Sequence, residues 1–361
     1  MMKEKICLKK SLNFIVIGPN YYNYSYSTVE TLKNIGYRVK FFDEKAFYDN
    51  CNYIQRKLYK QGIKKIKKRW DDHWNKELID YVEENSNQDT ILLFLSGGEI
   101  IKSYTLSNLV AYKKILILWD SVKRNSLSWQ KQLTMYDKIY LFEFEDMAYL
   151  KNKFGLMNVE YMPLGYDKKI YVPKDVPQDI DISFVGARTE KRLRLLNWLS
   201  IYAYKNKKKL LIVGKWFNNR WPWQKMAFRK KYPYLSRYLV NHNIDPIKTA
   251  DIYQRSKIVL NINNDVHKSI SPRTFEILAT KSFQIMNNGQ QSNNTLDLDK
   301  DLVEFTSNDD LVHKIEYYLS NEKKRRAIAE CGYQDVKKFS LEMLLNKFID
   351  NLQDNFKNGK E

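Results

Sequence analysis

Residues 13–42 read NFIVIGPNYYNYSYSTVETLKNIGYRVKFF, and the fold is decided there. An apolar run over 13–17 breaks at Gly18-Pro19-Asn20. A short helix-compatible run follows over 28–34, and Gly36 precedes a second apolar run over 37–42. Short continuous apolar runs bounded by turn signals suit strands buried on both faces. A glycine just beyond a helical run suits a left-handed C-cap. Strand, glycine turn, helix and strand in that order open a parallel, doubly wound sheet.

Downstream of this unit the pattern repeats. Apolar runs at 91–95, 115–119, 138–142 and 159–162 bring the expected strands of a first Rossmann-like domain to six, with Ser96-Gly97-Gly98 and Asp120 at strand ends. The stretch from Pro163-Leu164-Gly165 through Pro173 and Pro177 is turn-rich and without periodicity, which predicts a linker. The βα alternation then restarts, with strands expected at 182–185, 210–213, 258–262 and 283–286 and helices at 193–204 and 272–280. Helical patterns at 308–319, 322–338 and 341–356 close the chain, and no solenoid period is visible. The expected organisation is an N-terminal domain over 1–165, joined by the final helix at 341–356, and a C-terminal domain over 176–340.

Composition narrows the class. At ~150 residues per domain, 361 residues accommodate two domains with real cores. A hydrophobic content of 43% excludes a disordered chain, and 12 glycines and 8 prolines exclude collagen-like and low-complexity classes. The three cysteines (Cys7, Cys51, Cys331) are far apart and without a C-x-x-C, so neither a disulfide framework nor a cysteine zinc site is expected. No apolar run reaches membrane-spanning length, and the run over 12–17 is too short for a signal sequence. A cytoplasmic protein, peripheral on the inner membrane face, is the expectation. The net charge of +19 points to anionic partners. Two stretches concentrate it. Residues 56–69 hold eight basic side chains and no acidic one, with Tyr59, Ile63, Ile66 and Trp70 at helical spacing. Residues 215–240 hold seven basic side chains, eight aromatics and no acid. That mixture suits a lipid headgroup layer, a packed lid with aromatics in the core, or single-stranded nucleic acid. No RRM, KH or zinc-finger pattern supports the nucleic-acid reading.

No P-loop and no G-x-G-x-x-G occurs, and the four histidines are too dispersed to hold a metal. Asp179-Ile180-Asp181 has the D-x-D form of a sugar-transferase metal motif, yet strand alternation alone accounts for it. The richest segment runs from Asn261 to Glu276. A strand ends, a polar loop follows, and a helix opens with Ser271 as expected N-cap and Pro272 in the first turn. A helix N-terminus receives phosphate, Arg273 can fork onto its oxygens, and Glu276 lies one turn on, placed to accept from ribose hydroxyls. A plain capped helix with an Arg–Glu pair fits the same spacing equally well.

Several of these residues also carry a family resemblance. Asp181-Ile-Ser-Phe-Val-Gly186 followed by Lys191-Arg192, then Leu260-Asn-Ile-Asn263 and Ser271-Pro-Arg-Thr-Phe-Glu-Ile-Leu-Ala279, resemble the CgeB-type (spore-maturation-protein-like) glycosyltransferases. Tyr136-Asp137 through Pro163-Leu-Gly-Tyr-Asp167 is similar to the end of their N-terminal domain. The resemblance covers roughly 135–290 and the first 130 residues only in pattern. It implies the α/β GT-B architecture, two facing Rossmann-like domains with parallel sheets. It also implies transfer of a sugar from a nucleotide-sugar donor to an envelope polysaccharide, lipid-linked or other glycan acceptor, with no further cofactor and no metal. Donor binding would fall to Gly186, Arg188, Ser271, Arg273 and Glu276. The chain departs from the pattern at Lys268, where a second glutamate often stands, and at Thr280-Lys281-Ser282, where a glycine turn is usual. An inactive GT-B-like scaffold or binding protein is the alternative. Strand ends of the first domain offer Glu99 and Asp120 as candidate catalytic bases and Gly18 as a point of close backbone approach to acceptor. Glu99 and Asp120 read more readily as helix N-cap or first-turn acids, and Gly18 equally as a tight turn.

Overall fold

A computed structural model of the chain describes residues 12–20, 23–44, 52–61, 63–95, 99–110, 112–263, 267–291, 295–298 and 300–358. The chain divides into two compact units. Gly165–Ser340 forms one, and the residues up to Leu164 together with those from Leu341 form the other.

In the unit that holds the N-terminal residues, β1 (Asn13–Gly18) lies between β2 (Arg38–Asp43) and β3 (Thr90–Leu95), parallel to both. With β4 (Lys113–Leu118), β5 (Lys138–Leu141) and β6 (Val159–Tyr161) they make a six-stranded sheet of order β2-β1-β3-β4-β5-β6. The connecting helices are α1 (Tyr24–Ile35), α2 (Tyr53–Lys60), α3 (Lys64–Asn85), α4 (Ser103–Asn108), α5 (Leu127–Gln132) and α6 (Phe144–Phe154). Successive side chains of a strand point to opposite faces, so a central strand must be apolar throughout to be covered on both. Ile15, Ile17, Leu92 and Phe94 pack with Trp74, Leu78 and Val82 of α3. Phe14, Val16, Leu93 and Leu95 pack on the other face with Leu341, Leu345, Phe348, Ile349 and Leu352. Those five residues form one stripe of the last helix, and burying each is worth ~1.5–3 kcal/mol before ordering entropy.

Gly165–Ser340 repeats the plan. It contains β7 (Ile180–Val185), α7 (Glu190–Lys205), β8 (Leu210–Val213), α8 (Pro222–Lys231), α9 (Leu235–Tyr238), β9 (Leu239–Val240), α10 (Pro246–Arg255) and β10 (Ser256–Asn261). These are followed by α11 (Pro272–Ala279), β11 (Gln284–Asn287), β12 (Val303–Phe305), α12 (Asn308–Ser320) and α13 (Glu322–Val336); α14 (Leu341–Asn358) belongs to the other unit. The sheet order is β12-β11-β10-β7-β8-β9, all parallel. From β7 the chain builds outward through β8 and β9, then returns to β10 and builds the other way. The strand order therefore reverses between β7 and β10. Ligands of open parallel sheets bind beyond the carboxyl ends of strands at such a point.

Several expectations need correction. The sheet of Gly165–Ser340 has six strands rather than four, because β9 and β12 are edge strands of two and three residues. The stretch from Pro163 to Pro177 is not a free linker. Tyr166 and Tyr171 are buried, Tyr166 bridges to Ser340, and Gln254 Nε2 donates to the Val172 carbonyl at 2.7 Å. Residues 56–69 do not form one helix, since α2 ends at Lys60 and α3 begins at Lys64. Tyr59 and Trp70, from different helices, stack at 5.4 Å, and Ile63 stays 42% exposed instead of joining an apolar face.

Candidate functional site

The carboxyl ends of β7 and β10 gather the polar residues. Gly186 follows β7. Its N–H donates to the Val213 carbonyl at 2.9 Å, and its own carbonyl accepts from Trp216 Nε1 at 3.0 Å. A Cβ on Gly214 would stand 2.1 Å from that carbonyl oxygen, and one on Gly186 would stand 3.0 Å from Phe184 Cζ and 3.1 Å from Arg273 Nη2. Gly214 is thus required by a close backbone contact, whereas a Cβ on Gly186 would ask the Phe184 ring and the Arg273 guanidinium to give way by a few tenths of an ångström.

Two guanidinium groups flank Phe184. Arg273, in the first turn of α11, lies 5.8 Å from the ring centroid, and Arg192, in the first turn of α7, lies 5.5 Å from it. Arg192 is 7% exposed; its Nε donates to the Ile262 carbonyl at 3.0 Å and its Nη1 to the Ala187 carbonyl at 2.9 Å. It ties the β7 turn to the end of β10. Arg273 Nη1 meets Asn261 Oδ1 at 3.4 Å, and the group also hydrogen-bonds the buried Tyr253 hydroxyl. Burial, then the Glu276 charge, pushes the Tyr253 hydroxyl well above the usual tyrosine range, so it remains protonated. Asn261, fully buried, spends its amide on Thr274 Oγ1 at 2.9 Å and Gln284 Oε1 at 3.0 Å. Arg273 is therefore half-buried and braced. It does not project from a solvent-facing helix start, as the spacing alone suggests.

Ser271 occupies the N-cap position of α11 with extended backbone, but its hydroxyl makes no capping bond. Its Oγ is buried without a hydrogen-bond partner, as is Asn263 Nδ2 beside the same strand end. Unsatisfied buried polar atoms cost about 1–3 kcal/mol each unless something meets them. Ser271 Oγ stands at a helix N-terminus whose first turn carries a guanidinium with donors to spare, an arrangement that receives anionic oxygens. Glu276 sits one turn beyond Arg273, half-buried. Arg188 is engaged elsewhere: it pairs with Glu190 at 2.9 Å, its side chain 39% exposed. Lys268 is exposed, and its carbonyl accepts from Gln291 N–H at 2.7 Å. Lys281 adopts φ +57°, the left-handed conformation a glycine would take, and pairs with Glu330. The turn after α11 is thus kept without glycine.

Asp179 and Asp181 do not converge on a common point. Asp179 takes a bidentate pair from Arg255 at 2.9 and 2.7 Å, and Asp181 pairs with Lys257 at 2.7 Å. Among the described residues, no three His, Cys, Asp or Glu side chains form a group able to hold a metal.

In the unit of β1–β6, the three sequence-derived residues stand near carboxyl ends of strands, each already engaged. Gly18 ends β1, and a Cβ there would come 2.6 Å from the Leu95 carbonyl oxygen, so the sheet itself demands glycine. Glu99 Oε1 accepts from the Ser126 N–H at 2.6 Å, ahead of α5. That backbone bond, followed by the Ser126 side chain and the lysines Lys67 and Lys102, holds its carboxyl below the usual range and makes it a weak base. Asp120 accepts from Ser121 N–H at 2.8 Å and pairs with Arg124 at 2.5 Å. Glu44, one residue beyond β2, was not singled out by sequence. Burial, then the neighbouring Asp43 and Asp71, raise its carboxyl to about 7. Asp71 lies far away in sequence, on α3, so no local pattern signals the pairing. Arg192 did leave a signal. With Leu196, Leu199 and Ala203 it keeps the i, i+4, i+7, i+11 spacing of the buried face of α7.

Residues 191–342 match the family described as glycosyl transferase-like. Nearly the whole chain is similar to solved structures, among them the following three. One is a glycosyltransferase from Rickettsia africae ESF-5, 15% identical over 96% of this chain and 99% of that one, TM-score 0.67. A sucrose-phosphate synthase from Thermosynechococcus elongatus is 14% identical over 96% of this chain and 100% of that one, TM-score 0.69. Anabaena HepE, in complex with UDP, is 8% identical over 95% of this chain and 100% of that one, TM-score 0.64. No curated protein sequence matches the chain. The fold is that of the GT-B glycosyltransferases, two α/β units each with a six-stranded parallel sheet.

Proposed function

We propose that the protein transfers a sugar from a nucleoside diphosphate sugar to a glycan or lipid-linked acceptor, as a member of the CgeB-type enzymes. The observation that carries this is the crevice end of β7 and β10. Arg273, the N-terminus of α11 and the unpartnered Ser271 hydroxyl lie together there, with Glu276 one turn away. A diphosphate needs fixed cations and N–H donors, and a ribose diol needs a carboxylate acceptor. As the leaving nucleotide departs, charge builds on its phosphate, and a preorganised guanidinium and helix dipole stabilise it without a metal. Arg192 acts in this reading as the brace that holds the β7 turn against β10, and Arg188 is free to exchange Glu190 for a phosphate oxygen. The acceptor would be served by the unit of β1–β6, with Glu99, Asp120 and Glu44 as its carboxylates.

A second reading, a GT-B-shaped scaffold without catalysis, draws support from Lys268 at the usual second-glutamate position and from the engaged state of Glu99 and Asp120. A thermal-shift screen with UDP, other nucleoside diphosphates and their sugars tests both. UDP comes first because the Anabaena HepE structure contains it. A rise in melting temperature with a nucleoside diphosphate, followed by hydrolysis or transfer of its sugar, fits the enzyme. Nucleotide binding without turnover fits the scaffold, and no response to any nucleotide contradicts the donor assignment.

A further inference from the structure

The acid-free stretch 215–240 divides into two parts that do different things. Trp216, Phe228 and Leu235 are buried in the core of Gly165–Ser340, and Phe217 and Tyr232 pack on Phe228 at 5.0 and 5.1 Å. Those rings are structural. The opposite side of α8 is exposed: Trp223 is 61% and Met226 71% accessible, and Trp221, just before the helix, is 53%. At 100° per residue Trp223, Met226, Ala227 and Lys230 share one face, opposite Phe228. An outward apolar stripe of this size on a charged helix leaves ~200 Å² or more of ring and thioether surface in water.

On the Phe228 side of α8 lies a cavity of about 380 Å³ with Phe217 and Phe228 in its wall and Lys225 and Arg229 at its edge, on the helix flank between Phe228 and Met226; the Asn219 and Asn241 amides there are spent on each other and on the Phe217 carbonyl. Lys225 and Arg229 are one turn apart on α8, so both reach the same place. No acidic side chain lines it. Lys230 and Lys231 continue the positive charge along the same helix, exposed. Exposed tryptophan and methionine flanked by the exposed cations Lys225, Arg229, Lys230 and Lys231 suit the surface of an anionic phospholipid bilayer. Tryptophan and methionine enter the boundary layer while cations meet headgroups. Residues 56–69 are basic too, but their aromatic pair Tyr59–Trp70 is stacked on itself.

We propose that Trp221, Trp223, Met226 and the cavity-lining Lys225 and Arg229 form a membrane-docking surface for anionic phospholipid headgroups. This holds whether or not the donor assignment does, since it uses none of the residues at the ends of β7 and β10.

The test is co-sedimentation of the full chain with vesicles of phosphatidylcholine alone and of phosphatidylcholine with 30% phosphatidylglycerol. Binding is expected only to the second, falling as salt rises. Lys225→Ser with Arg229→Ser should weaken it ~30-fold, at ~1 kcal/mol per cation near an anionic leaflet. Trp223→Ser with Met226→Ser should weaken it ~10-fold or more. Quenching of tryptophan emission by bromine-labelled lipid should be lost in Trp221→Phe/Trp223→Phe, and this readout stands if another variant folds poorly. Equal binding to neutral vesicles overturns the proposal. So does vesicle binding abolished by Lys64, Lys65, Lys67 and Lys68→Glu but untouched by the α8 variants, which would place the contact on the other unit. Capture of a single-stranded oligonucleotide, or of free glycerol phosphate, without any vesicle binding also overturns it.

Discussion

Replacing Arg273 by alanine separates the structural role the contacts give it from the phosphate-binding role proposed for it. The truncation removes the contact to Asn261 Oδ1, the bond to the Tyr253 hydroxyl and the guanidinium beside Phe184. Asn261 is fully buried, so its oxygen loses a partner that water cannot replace. That alone is about 1–3 kcal/mol, and the cation–ring contact adds about 0.5–1 kcal/mol. A total near 2 kcal/mol corresponds to a fall of about 4–8 °C in melting temperature for a unit of this size. Loss of one charge-assisted phosphate contact should add a further 1.5–3 kcal/mol to donor binding, about 10- to 150-fold in affinity. Because only the diphosphate carries the charge that Arg273 meets, UDP should lose this affinity and uridine almost none. Arg273→Lys should recover part of it, since an ammonium cannot fork across two oxygens. Calorimetry with UDP and uridine, alongside thermal melts, checks all of this. A variant that melts lower but keeps the UDP-to-uridine affinity ratio would refute the ligand role and leave Arg273 as a brace only.

Three other outcomes follow from the geometry. Lys281→Gly should raise stability by ~0.5–1 kcal/mol, since it relieves a left-handed lysine at φ +57° and gives up only an exposed pair with Glu330; unfolding in urea reads this. Gly214→Ala should prevent close packing of the β7 and β8 ends, where its Cβ would lie 2.1 Å from the Gly186 oxygen, and should cost more than ~3 kcal/mol in the same assay. Glu44, raised to about 7, stabilises the fold while protonated, below the ordinary glutamate range, and this advantage disappears as pH rises from about 4.5 through 7. Glu44→Gln should therefore match wild type at about pH 4, below the ordinary glutamate range, and exceed it at pH 8 by up to roughly 3 kcal/mol in chemical denaturation.

The α/β alternation was legible because central parallel strands are apolar on both faces. The runs around Phe14–Ile17 and Ile91–Leu95 are buried almost completely and are found where the pattern puts them. Gly36 takes the expected left-handed cap at φ +107°. Leu239–Val240 and Val303–Phe305 escaped notice because edge strands of two or three residues generate no period. The helix break between Lys60 and Lys64 was hidden by basic residues on both sides of it. At the candidate site the sequence placed Ser271 at the start of a helix but not its silent hydroxyl, which depends on what surrounds Oγ. The bracing of Arg273 by Asn261, Tyr253 and Phe184 joins residues 12 to 89 positions apart, and local spacing carries no trace of such contacts. Arg192 was visible as part of the resemblance and as a cation on an otherwise apolar helical face, a signal that calls for a buried partner before it calls for solvent.

The most direct test of donor binding at the β7–β10 crevice is calorimetric titration of UDP into wild type, Glu276→Ala and Glu276→Gln. If the glutamate accepts from the ribose diol, alanine should weaken binding about 10- to 150-fold and glutamine less, because its amide oxygen still accepts. Wild-type affinity for UDP in Glu276→Ala would contradict the assignment.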